Sequence, residues 1–186
     1  MRVRRVVTGH DSTGRAVVVS DTELQPQNPE VAPKWSVWAT EQPPSFPDEG
    51  KEPAPTGPVP PPGGFEAILL TLPPGFTLDG VFDPADPATA QITRALGFLP
   101  DPNPPSAYPL PGSGGMHATP SVDVLLQVSG TSVLVLPSGE VSLSPGDWLV
   151  LNGVTHAWRN DGAEPAVLAG FTAGARHQGI PELPPG

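Results

Sequence analysis

The stretch Gly115–Asn160, GMHATPSVDVLLQVSGTSVLVLPSGEVSLSPGDWLVLNGVTHAWRN, decides the fold. Short apolar and β-branched runs alternate in it with turn residues. Val122–Val128, Thr131–Leu136, Glu140–Ser144, Trp148–Leu151 and Thr155–Arg159 are separated by Ser129-Gly130, Ser138-Gly139, Pro145-Gly146 and Asn152-Gly153. Runs of this length and composition are strands, and turns of this chemistry match the twist of antiparallel hairpins. The spacing predicts one uninterrupted antiparallel meander in which consecutive strands are neighbours. A sixth run, Ala166–Phe171, follows Asp161-Gly162.

Upstream, Arg2–Thr8 and Arg15–Ser20 flank the turn residues Gly9–Gly14, and Trp35–Thr40 and Phe65–Leu72 are two further strands. About ten short strands in one chain make a sandwich or barrel. The chain is read as one domain over 1–186, with N-terminal strands in 1–40 and the core in 114–172. Its 29 Pro and 21 Gly residues disfavour a helix-rich fold, and they gather in loops over 42–64 and 99–115. One short accessory helix is predicted, with Asp86 as N-cap, Pro87 at the first turn, Ile92, Ala95 and Leu96 at helical spacing and Gly97 as the stop.

Nine basic against nineteen acidic residues give a net charge of −10, which excludes nucleic acid and anionic membrane surfaces as main partners. Arg2, Arg4 and Arg5, interleaved with valines, read as the solvated face of a first strand. With no cysteine there is no disulfide, thiolate metal site or cysteine nucleophile. No apolar run reaches the roughly 18 residues of a membrane span, and the cytoplasm is the expected compartment. Neither a Gly-Xaa-Ser-Xaa-Gly elbow accompanied by a histidine nor a phosphate-binding or dinucleotide loop occurs.

The chemistry is concentrated in His117, Asp123 and His156. Alternate strand residues share a face, so His117 goes with Thr119, Asp123 with Leu125 and Gln127, and His156 with Trp158 and Asn160. A carboxylate on an apolar strand is costly unless it is paired or metal-bound. Two imidazoles and a carboxylate form a ligand set with open positions, suited to Fe, Zn, Ni, Cu or Mn. Thr119 would stand beside the ligands, while Gln127 and Trp158 would line a pocket. His10 and His177 fall in turn and tail contexts with no role in the site.

These residues carry a resemblance. His117, Asp123 and Gly130, followed by Pro145-Gly146, His156 and Asn160, resemble the two sequence motifs of the cupin superfamily over roughly 60 residues. Thr119 stands where the first motif has its second histidine, and Asp123 where it has a glutamate. The resemblance implies an all-β antiparallel, jelly-roll-like cupin barrel. It also implies a divalent transition metal on His117, Asp123 and His156, and a homodimer paired through the N-terminal strands. The corresponding function is metal-dependent conversion of a small oxygenated organic molecule by dioxygenation, isomerisation, decarboxylation or dehydration. Two other readings stay open: a small-molecule-binding module with no metal, and metal-free acid/base catalysis with His156 as the base, oriented by Asp123.

Overall fold

The computed structural model of the chain describes residues 1–54, 57, 59–79, 108–109 and 114–176, and every regular element among them is an antiparallel β-strand. In chain order these are β1 (Val3–His10), β2 (Ala16–Leu24), β3 (Lys34–Thr40), β4 (Phe65–Leu72), β5 (Tyr108–Pro109) and β6 (His117–Ala118). They continue with β7 (Ser121–Ser129), β8 (Ser132–Leu136), β9 (Gly139–Leu143), β10 (Trp148–Asn152), β11 (Ala157–Arg159) and β12 (Ala166–Gly174). The predicted helix from Asp86 to Gly97, most of the loop over 99–115 and His177 lie outside the described residues.

A five-stranded sheet, ordered β10-β7-β12-β4-β3, faces a three-stranded one, β11-β8-β9; β1-β2 and β5-β6 form separate ribbons. The expected meander is not formed. From β6 onward, the only consecutive strands that pair are β8 and β9. The turns explain the difference. Gly130 and Gly153 take left-handed backbone, φ 64° and 62°, and each turn carries the chain across to the opposite sheet instead of back along its neighbour. At Gly130 the crossing is also tight, since a Cβ there would lie 2.3 Å from the Pro165 carbonyl oxygen.

The crossing is what the apolar pattern requires. Leu125, Leu151 and Leu168 from the large sheet meet Leu134, Leu143 and Trp158 from the small one, with Leu72, Phe76 and Leu78, in a single buried cluster. A flat meander would leave that face in water, at a cost of roughly 2 kcal/mol for each large aliphatic side chain.

Two buried polar side chains tie the layers together. Gln127, 1% exposed, donates from Nε2 to the Ser129 and Gly130 carbonyls and accepts from Ser132 Oγ at 2.7 Å. It faces inward as the alternation predicts, and its polar atoms are spent on the β7–β8 corner. Asn160, 0% exposed, donates from Nδ2 to the Leu72 and Glu164 carbonyls and accepts from the Gly162 amide.

The β1–β2 hairpin is closed by Asp11, whose carboxylate accepts from the Thr13 and Arg15 amides. Arg2 and Arg4 form exposed cross-strand pairs with Glu23 and Asp21, as a solvated face should. Arg5 departs from that expectation: it turns inward, binds both Glu52 carboxylate oxygens at 2.6 Å, and lies over the Trp38 ring. His10 pairs with the backbone of Asp48, away from the other histidines.

Candidate functional site

His117 and His156 are brought together by main chain. The two residues form an isolated antiparallel bridge, each amide donating to the other's carbonyl at 2.8 Å, and their rings lie 4.4 Å apart at 51°. Both residues are buried, at 4% and 3% exposure. The strand predicted over Thr155–Arg159 is thus reduced to β11, with His156 held just ahead of it by the bridge to β6.

Each ring is oriented by a carbonyl two residues upstream. Nδ1 of His117 lies 3.1 Å from the Gly115 oxygen, and Nδ1 of His156 lies 2.9 Å from the Val154 oxygen. A carbonyl can only accept, so both Nδ1 atoms carry the proton and both Nε2 atoms carry the lone pair. Gly115 is constrained to its place: its φ is 81°, and a Cβ there would lie 2.3 Å from Leu78 Cβ.

Burial keeps the pair neutral. It pushes His117 down to about 3, with the nearby His156 adding to the effect. His156 is also lowered, chiefly by burial, partly offset by its bond to the Val154 carbonyl and by the charge of Asp123. Asp123 is raised, again chiefly by burial. The hydroxyls of Thr172, Ser121 and Thr119 and the neighbouring His156 favour its charged form without cancelling that cost. Its Oδ1 is buried and has no hydrogen-bond partner.

Register explains these neighbours. Asp123 pairs with Leu151 on one side and Thr172 on the other, and Thr172 pairs with Glu66. Ser121 lies two residues before Asp123 on the same face and donates to Thr119 Oγ1 at 2.8 Å. Glu66 is itself held by Lys34 Nζ at 2.8 Å, with 12% of its side chain exposed. The sequence reading missed Ser121, Thr172 and Glu66. Alternation from Asp123 could have found Ser121, but Thr172 fell beyond the predicted end of its strand. Trp158 is packed in the core cluster, with its ring edge-on to His156 at 6.1 Å, so it supports the histidine from behind.

A metal centre makes stricter demands. Locked Nδ1 protons are the arrangement of metal-binding histidines, and an unpartnered carboxylate oxygen suits a cation. Among the described residues, however, no three His, Cys, Asp or Glu side chains stand where they could hold one ion. The structure thus does not show the three-ligand metal site expected on His117, Asp123 and His156: the bridge sets the imidazole pair, while Asp123 comes from a different strand and lies among the hydroxyls around it. A catalytic divalent site ordinarily takes three protein ligands, and here the main-chain bridge brings two of them, His117 and His156, together.

No family model matches the sequence, and no curated protein matches it. Solved structures give distant likenesses. One is a Thermus thermophilus protein, at 19% identity and TM-score 0.43, with 82% of this chain and 92% of that one covered. Another is the Cupin_2 domain of an XRE family transcriptional regulator from Enterobacter cloacae, at 15% identity and TM-score 0.36, covering 60% and 83%. A third is a sugar phosphate isomerase of the cupin superfamily from Silicibacter pomeroyi, at 17% identity and TM-score 0.34; the match spans 59% of this chain and half of that one. The chain itself is built of two facing antiparallel sheets, with His117 and His156 bridged beside them. Among the described residues no helix is long and apolar enough to cross a membrane.

Proposed function

We propose that the chain binds a small organic molecule bearing a hydroxyl or carbonyl group at the His117–His156 pair, and that His156 and Asp123 move a proton on it. The observation that carries this reading is the buried imidazole pair with both Nδ1 protons committed to carbonyls. In such a pair His156 offers a neutral, lone-pair-bearing nitrogen to a ligand hydroxyl. The displacements of His156 downward and Asp123 upward bring their proton affinities toward each other. A closer match of proton affinities favours transfer between carboxyl, imidazole and ligand, which is the condition for general acid/base work. Thr119, Ser121 and Thr172 steady the carboxyl, and Trp158 packs edge-on against His156.

The second reading is a metal-dependent enzyme, favoured by the unpartnered Asp123 Oδ1. One set of measurements separates the two. Protein purified without a metal-chelating tag is assayed for metal, and a thermal-shift screen of small hydroxy acids, aldehydes and phenols is run on the parent, His156→Ala and Asp123→Asn. Stabilising compounds that both variants lose, with no bound metal, support the proposal. Near-stoichiometric divalent metal that disappears in both His117→Ala and His156→Ala replaces it with the second reading. Compounds that bind all three proteins alike place the ligand elsewhere.

A further inference from the structure

The strands of the five-stranded sheet carry three charged side chains, Lys34, Glu66 and Asp123, and all three stand on its inner face. Strand alternation and pairing fix this. Asp123 alternates with Leu125, Glu66 alternates with Ile68 and Leu72, and Lys34 lies opposite Leu70; each of these apolar partners belongs to the core or packs against it. The outer face has no charge, and its bare positions are apolar, with Trp148 67% exposed and Val150 54%. Charge on the inner side of a sheet is costly to desolvate, and a chain that needed it only for solubility would place it on the outer side.

The three are joined into one polar strip. Asp123 pairs with Thr172 and Thr172 with Glu66, so two strand spacings of about 4.8 Å put the Glu66 backbone about 10 Å from that of Asp123. Lys34 reaches over from β3 and closes on Glu66 Oε2 at 2.8 Å. That bond uses one of the three protons on Nζ. The pair is not sealed off either: 26% of the Lys34 side chain and 12% of the Glu66 side chain are exposed. The strip thus has neutral imidazole and a carboxyl at one end and an ammonium with donors to spare at the other.

We infer that, given the ligand site proposed above, Lys34 sets its specificity for a short hydroxy or oxo acid, whose carboxylate pairs with Lys34 Nζ while its hydroxyl or carbonyl lies at His156 and Asp123. Charge selects the carboxylate. A chain of net charge −10 repels an organic acid through its general field, so the acid needs a local cation. Lys34 is the only lysine or arginine in the strands of the five-stranded sheet. Arg159, the one cation in the strands of the facing sheet, is already paired with both Glu140 and Asp161. An ammonium can be shared between two carboxylates, since its donors are several and point apart. Glu66 therefore orients Lys34 and competes with the ligand for it.

Calorimetric titration of the full chain with 4-hydroxybutanoate and 6-hydroxyhexanoate, and with the primary amide of each, tests this, with circular dichroism of every variant. The parent is expected to bind acid over amide by roughly tenfold. Lys34→Met should lose that preference while still binding the amides, and Lys34→Arg should keep it. Glu66→Gln, which frees the ammonium, should bind the acids more tightly than the parent does. That gain is the readout a merely structural ion pair would not produce, and it serves if Lys34→Met loses its fold. A parent that binds acid and amide alike, or Lys34→Met and Glu66→Gln variants that keep the parent's preference, overturns the role of Lys34, as does a lack of binding by all four compounds. The reading of the site itself falls separately, with the screen of His156→Ala and Asp123→Asn.

Discussion

Buried polar groups occur at both ends of β7, and the two ends are built on opposite terms. At the Ser129 end, Gln127 has its amide nitrogen on two carbonyls and its oxygen on Ser132. At the Ser121 end, Asp123 keeps a buried oxygen without a partner, and the two neighbouring imidazoles are both held below their ordinary proton affinity by burial. Burial depth is similar for Gln127 and the histidines, so depth does not mark the site. Incomplete satisfaction does: a structural polar group finishes its bonds inside the chain, and a functional one leaves a valence for something else.

The largest effect that could break this contrast is loss of stability at the satisfied positions. Asn160→Ala and Gln127→Ala each strand several buried partners, and each is expected to lower the unfolding free energy by about 3 kcal/mol in denaturant titrations. A loss below about 1 kcal/mol would show that these side chains are not the clamps described. Next comes pH. The folded affinities of His117 and His156 lie below the unfolded value of 6.5, so the unfolded chain binds more protons between the two. Their contribution to stability is complete above pH 6.5 and falls as the pH drops toward about 3 for His117, by about 1.4 kcal/mol per pH unit for each titrating histidine.

Asp123 works in the opposite sense, losing its contribution as the pH rises from 3.8 through its raised folded value, so the acid loss is partly offset. The melting temperature of the parent should fall between pH 6.5 and 4, and His117→Gln should flatten that fall. The smallest effect sharpens the comparison. Asp123→Asn removes a charge that burial opposes, and it is expected to raise stability at pH 7 by about 1 kcal/mol while abolishing binding in the thermal-shift screen. A destabilised Asp123→Asn would mean that the carboxylate is satisfied after all and belongs with Gln127.

The strands were legible because their apolar alternation and Gly-bearing turns are local. The pairing was not, since a two-residue turn looks the same whether the chain folds back or crosses to the facing sheet; only the need to bury Leu125, Leu151 and Leu134 together decides it. The motif spacing brought out His117 and His156. It could not say that Asp123, inward on β7, would be engaged by Thr172 on β12, because that contact depends on a strand pairing beyond the predicted end of the run. The exposure of Trp148, 67%, was not legible for a related reason: on a sheet, period two tells which residues share a side, not which side stays wet.

The mutual amide–carbonyl bond between His117 and His156 has a practical corollary. Because the two motif ends are stapled through peptide groups, either ring can be exchanged without unfastening the other. The pair is therefore a socket into which other side chains can be fitted two at a time, with the spacing of the mouth already set by the backbone.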